Sequence, residues 1–157
     1  LLMEAMKKQD RKLDDDPKAK IQTALELLYD IVSIAGAVHC DIRIDGKDYS
    51  GKFLLVEVMN IRSIGPNLNL SPMADPGDGQ FEIVLSSEER RDDFLKYIHP
   101  KVEGEEEIRF FKVLQGANIE ILWHGTTFHI DDERMTVEKP GKVGIALQHK
   151  AFRFLLD

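Results

Sequence analysis

Residues 53–85 read F-L-L-V-E-V-M-N-I-R-S-I-G-P-N-L-N-L-S-P-M-A-D-P-G-D-G-Q-F-E-I-V-L. The apolar run Phe53–Met59 predicts a central, buried strand, apolar on both faces until Glu57. The run Phe81–Leu85 predicts a second strand. Between them, Asn60–Gly79 carries Gly65-Pro66, Pro72, Pro76, Gly77 and Gly79. A hairpin turns in a few residues, so this connection is too long to be only a turn. Long ordered loops on a strand scaffold commonly carry function. The apolar Leu68–Leu70 inside the loop predicts that it is ordered.

Upstream, Val38, Cys40, Ile42 and Ile44 alternate with His39, Asp41, Arg43 and Asp45, the period of a half-buried strand. Asp45-Gly46 then predicts a hairpin turn into Tyr49–Met59. Further upstream, Asp16-Pro17 predicts a helix start, with Asp at the N-cap and Pro at the first helical position. Ile21, Ala24, Leu25, Leu28 and Val32 follow at helical spacing, and Gly36 is the expected stop. Residues 1–16 are polar and charged and read as a connector. The chain begins Leu1-Leu2 without an initiator methionine, which suggests a fragment.

Downstream, Ser86 with Glu89 predicts a capping box and a short helix to about Ile98. A charged loop is expected over Lys101–Glu107. Strands are expected at Ile108–Leu114, Asn118–Trp123, Thr126–Ile130, Lys142–His149 and Ala151–Leu155. The predicted fold is mainly β: a two-layer β-sandwich, residues 17–157, with one long N-terminal helix and one short inserted helix.

Composition narrows the function. A net charge of −7 disfavours nucleic acid as a main partner, because phosphate backbones need clustered Lys and Arg. No apolar run approaches the length of a membrane span. The single Cys40 excludes an internal disulfide, fits a reducing compartment and reads as core packing.

Two constellations carry candidate chemistry. Asp78-Gly79 between apolar runs reads as a turn; the long Pro-rich loop before it adds the reading of a presented carboxylate. Asn60, where the strand enters the loop, is placed to pin the loop backbone. The second is Phe128-His129-Ile130-Asp131-Asp132-Glu133. It reads either as a solvated acidic turn or as carboxylates serving a hard cation or a general base. The histidines at 39, 99, 124, 129 and 149 form no H-E-x-x-H or Cys/His zinc spacing, and His129 reads as an exposed polar residue. No phosphate-loop or nucleophile-elbow motif is present.

Taken together, Asn60, Gly65, the Pro72-Met73-Ala74-Asp75-Pro76-Gly77-Asp78-Gly79 run and Asp131-Asp132-Glu133 resemble the C-terminal domain of the diacylglycerol kinase and sphingosine kinase family, which includes bacterial lipid kinases. Val143–Leu147 and Phe154–Leu156 resemble the family's ending. The resemblance covers roughly residues 37–156. It implies an ATP- and Mg²⁺-dependent lipid kinase whose nucleotide lies between two domains. Glu133 would be the general base, Asp78 and Asp131 would hold Mg²⁺ through water, and Asn60, Gly65 and Gly79 would position the loop. The lipid would enter an apolar cleft, and the expected setting is the cytoplasm with peripheral contact at a membrane. Three departures stand out. The first loop has less glycine than the family's. Asp132 stands where the family has glycine. The family's N-terminal nucleotide-binding domain, with its Gly-Gly-Asp-Gly signature, is absent from this chain. A non-catalytic ligand-binding sandwich is the alternative those departures favour.

Overall fold

The computed structural model describes residues 16–103, 111–131 and 133–148. The first helix, α1 (Pro17–Ile34), starts as its chemistry requires: the extended Asp16 accepts from Lys18 N at 3.0 Å, with Pro17 opening the helix. Its apolar stripe buries Ala24, Leu25 and Val32. The helix ends one residue before the expected Gly36, where Ala35 turns extended. Arg91 donates to the carbonyls of Val32 and Ala35, so a side chain from a distant element satisfies the helix terminus.

Strand β1 (Val38–Ile44) buries Cys40, Ile42 and Ile44, as its alternation predicts. Asp45 and Gly46 follow at φ 48° and 79°, the paired positive values of a tight hairpin. The expected strand Tyr49–Met59 is divided into β2 (Lys47–Asp48) and β3 (Gly51–Met59). Ser50 interrupts it, its hydroxyl accepting from Ile42 N at 3.0 Å in place of the ladder.

Two short strands inside the long loop, β4 (Ser63–Ile64) and β5 (Leu68–Asn69), pair with each other. Then come β6 (Phe81–Ser87), a 3₁₀ turn at Glu88–Arg90 and α2 (Arg91–Val102). The capping box expected of Ser86 and Glu89 does not form, because Ser86 is still in the strand and buried. Helix α2 runs past the expected Ile98 and carries Pro100 in its last turn.

The remaining strands are β7 (Val113–Gly116), β8 (Asn118–Trp123), β9 (Thr127–Ile130), β10 (Glu133–Thr136) and β11 (Gly141–Ala146). The sequence pattern places β8 correctly, offsets β7, β9 and β11 by a few residues, and misses β10. The connector residues 1–15, most of the charged loop with the start of the expected 108–114 strand, Asp132, and the expected strand Ala151–Leu155 lie outside the described residues.

The main sheet is antiparallel and seven-stranded, in the order β11-β8-β1-β3-β6-β7 with β2 beside β1; β9–β10 and β4–β5 are separate pairs. Only Ala117 separates β7 from β8, although β1, β3 and β6 lie between them in the sheet. The sheet must therefore curl until its β7 end reaches the start of β8. Its inner face encloses Cys40, Ile42, Ile44, Phe53, Ile83 and Ile119 without a covering helix. The fold is thus mainly β and sandwich-like, as expected.

The outer face of β3 and β6 carries the second core: Met59 and Val84 against Leu25 and Val32 of α1, Phe94, Tyr97 and Ile98 of α2, and Leu68 and Leu70 of the long loop. A bulge between Phe53 and Leu55 lets one strand serve both cores. Phe53 points inward, whereas Leu55, two residues on, packs toward the helices. Glu57 pairs with Val84 and Glu82 with Met59, so both carboxylates share this helix-covered face. Burial pushes Glu57 up to about 7.

Two outcomes are expected. A Cβ on Gly116 would collide with the Ile44 side chain and approach Asp45, whereas one on Gly144 meets nothing within 4 Å. Gly116→Ala should cost about 1–3 kcal/mol in urea unfolding and Gly144→Ala less than about 0.5; equal costs would contradict the close approach. Second, a carboxyl raised to about 7 in the fold favours the protonated native state. Its contribution is complete below about pH 4.5 and is lost as pH rises through 7. Between pH 5 and 8 Glu57→Gln should remove a pH-dependent loss of up to about 3 kcal/mol, flattening the melting temperature against pH. Parallel wild-type and variant profiles would show that Glu57 does not titrate differently on folding.

Candidate functional site

The long loop is built around its own buried residues. Leu68, Leu70, Ser71 and Ala74 are buried, Leu70 completely, and Tyr97 Oη donates to Asn69 O at 3.1 Å. Burying one leucine contributes about 1.5–3 kcal/mol, enough to fix a loop whose backbone is also bonded. Gly65 at φ 47° and Asn67 at φ 57° turn the β4–β5 pair. Ser71 N then donates to Arg62 O, Ala74 N to Ser71 O, and Arg62 Nε to Ala74 O at 3.4 Å. The order expected from Leu68–Leu70 is present.

The end of the loop is two successive Asx turns. Asp75 Oδ1 accepts from Gly77 N at 2.8 Å, Asp78 N donates to Asp75 O, and Asp78 Oδ1 accepts from Gln80 N at 2.8 Å. Gly79 sits at φ 80°, where a side chain would be strained, and lets the chain drop into β6. Asp78 is exposed, and among the described residues its second oxygen is uncommitted. Asn60 lies exposed at the bend that leaves β3.

A groove of about 620 Å³ runs beside this turn, lined by Ile61, Arg62, Pro72, Met73, Ala74, Asp75 and Pro76. Met73 is 88% exposed and Ile61 51%, so two large apolar side chains flank an arginine and an aspartate. Behind the turn lies Glu82, 1% exposed and paired with Gln115 in the register of β6 with β7. Burial raises its carboxyl, the amide of Gln115 on the paired strand lowers it, and the charges of Asp78 and Asp75 raise it again. The run Phe81–Leu85 predicts an apolar strand, and Glu82 is the one charged residue within it, the local signal of a buried carboxylate.

Asp131 and Glu133 belong to the β9–β10 hairpin. Asp131 makes the turn at φ 50°, and Glu133 opens β10 opposite Ile130; both are exposed. His129 is exposed, as expected. Among the described residues, the ligand atoms of Asp78, Asp131 and Glu133 are not gathered into one cluster. The histidines are less scattered than their positions suggest: His39 and His124 both bond to Asp41. The register Cys40↔Trp123 brings them together across strands, a non-local fact that spacing does not carry.

No curated protein matches the chain. Among solved structures, a provisionally assigned diacylglycerol kinase from Bacillus anthracis str. Sterne superposes at a TM-score of 0.58 with 22% identity over 88% of this chain. A crystal structure of a diacylglycerol kinase from the same strain gives 0.58 and 22% over 86%. The chain spans only 45% and 47% of those two proteins, and at this identity the likeness establishes a shared fold. Residues 16–148 match the family described as the YegS C-terminal NAD kinase beta sandwich-like domain. The chain, with its ordered loop between β3 and β6 and its curled antiparallel sheet, belongs to that family.

Proposed function

We propose that this domain is the C-terminal half of an ATP- and Mg²⁺-dependent lipid kinase that phosphorylates the hydroxyl of diacylglycerol or a similar lipid. The observation that carries the reading is the family match across residues 16–148, which includes the ordered Asp75–Gly79 turn and the Asp131–Glu133 hairpin. The naming of similar folds as diacylglycerol kinases supplies the substrate class. Among the described residues no helix is long and apolar enough to cross a membrane. Contact with a bilayer would then be peripheral, through Met73 and Ile61 at the groove.

The residues present fit a hard cation held through water. Asp78 is exposed, one oxygen fixed by Gln80 and the other available, and carboxylate oxygen is the donor Mg²⁺ prefers. Bound Mg²⁺ would neutralise charge on the transferring phosphoryl group. Asp78 would orient the metal's water shell, with Asp131 supporting from the hairpin turn. Glu133 would accept the proton of the lipid hydroxyl as it attacks. The apolar wall of the groove would take the acyl chains while Arg62 faces the headgroup. A phosphate cradle would come from the N-terminal half, since a chain of net charge −7 without a phosphate-binding glycine motif opposes a polyanion.

A second reading, a lipid-binding sandwich without catalysis, is favoured by Asp132, which adds a charge beside the proposed base. Phosphorylation of diacylglycerol vesicles by the full-length protein separates the two. Retained lipid binding without product would select the second.

In that protein Glu133→Gln should lower turnover by about 10²–10⁴ with the melting temperature unchanged. Wild-type rates in a folded variant would remove Glu133 from the mechanism. Residues 1–157 alone should give no saturable heat when titrated with ATP and Mg²⁺ at micromolar concentrations. Micromolar binding would place the nucleotide site in this domain and overturn the division of labour.

A further inference from the structure

The geometry points to a binding site for a first-row divalent cation of the zinc type at His39, Asp41 and His124, on the outer face of the main sheet. His39 Nε2 lies 3.0 Å from Asp41 Oδ1 and His124 Nε2 lies 2.8 Å from Asp41 Oδ2. One ligand atom from each residue falls within 4.8 Å of the others, and no other such group occurs among the described residues. A tetrahedral shell with bonds of about 2.0–2.1 Å sets neighbouring ligand atoms about 3.3 Å apart. Small side-chain rotations therefore suffice. Two imidazoles and a carboxylate are a donor set for zinc-type ions, with one position left to water.

The three residues are held from behind. His39 and Asp41 project from the same face of β1, two residues apart. Trp123 pairs with Cys40, and His124 N donates to His39 O at 3.3 Å, which sets His124 beside them. Trp123 Nε1 donates to Thr127 O at 2.9 Å and fixes the turn after β8. The rings of His39 and His124 meet edge to face with centroids 4.9 Å apart. Their exposure, 46% and 34%, leaves the carboxylate open to an arriving ion. Lys52 pairs with His39 in the register of β1 with β3, and Lys142 pairs with Leu122 in that of β11 with β8. These cations lie on the strands either side of β1 and β8 and oppose an arriving cation, which lowers the site's affinity.

A bound ion would replace two hydrogen bonds by coordination and staple β1 to the turn after β8. This site shares no residue with the proposed kinase site, so the two stand or fall separately.

The test uses the tag-free, chelator-treated chain, residues 1–157. Calorimetry with ZnCl₂ should give one site of micromolar Kd, and MgCl₂ should not compete. Zinc at a hundredfold excess over Kd should raise the melting temperature by about 5–10 °C. Co²⁺ should develop a tetrahedral visible spectrum and quench Trp123, the single tryptophan. His124→Ala and Asp41→Asn should each weaken binding more than about tenfold, the lower end of what an outer-sphere loss costs. His129→Gln should leave it unchanged. Circular dichroism confirms that each variant is folded; these side chains are exposed, so their loss should not unfold the sheet. Absence of zinc binding, or affinity unchanged in both site variants, would reduce the cluster to a hydrogen-bonded triad and overturn the proposal.

Discussion

One carboxylate fixes where the sheet closes. Asp45, at the tip of the β1–β2 hairpin, accepts hydrogen bonds from Ala117 N and, at 2.9 Å, from Asn118 N, while its own N donates to Asn118 O at 2.8 Å. Those bonds hold its carboxyl below the usual range, with Asn118 the largest cause. They grip the single residue between β7 and β8. Without that grip the chain would have no reason to jump from one end of the sheet path to the other in so short a step. Gly116 makes the approach sterically possible, and Asp45 makes it satisfied.

Closure at that point divides the protein into two cores with different demands. The inner core of the curled sheet is lined by alternating β residues and takes no helix. The outer core needs a cover, and α1, α2 and the long loop supply it together. The loop is therefore a structural layer as much as a connection. Its Leu68 and Leu70 do for β3 and β6 what a third helix would do elsewhere. A loop that is half core can hold Asp75, Asp78, Met73 and Ile61 in fixed positions at its surface, which a solvated loop could not.

Periodicity carried the local parts of this fold. The Asp16-Pro17 helix start, the alternation of β1, the Asp45-Gly46 turn and the order of the loop all follow from neighbouring residues. What escaped depends on pairing between distant segments. The Phe53/Leu55 bulge reverses a strand face without any marker stronger than a continuous apolar run. Ser86 has the composition of a cap but belongs to a strand, because pairing with Leu55 extends β6 past it. His39, Asp41 and His124 meet only through the β1–β8 register. The motif residues of the candidate site were legible because a turn carboxylate is a local object. Whether Asp78 and Glu133 serve one reaction is a question about two separate elements, and no local pattern contains it.

The carboxylates of this domain fall into two populations, and the difference bears on the proposed chemistry. Glu57 and Glu82 sit on the helix-covered face, where desolvation raises both. They favour the protonated form and pull ill against a divalent ion. Asp78, Asp131 and Glu133 stand at exposed turns and strand starts, where an arriving cation meets little desolvation. As the proposed kinase half, such a domain would offer negative charge but no phosphate grip. On that reading its acidic turns would act only when a basic or glycine-rich partner brings the triphosphate, so the affinity for nucleotide and the placement of the proton acceptor would reside in different halves of one cleft. On the proposed reading, that separation would let so acidic a domain serve a reaction on a polyanion: it would position the cation and the base, and the anion would be held from the other side.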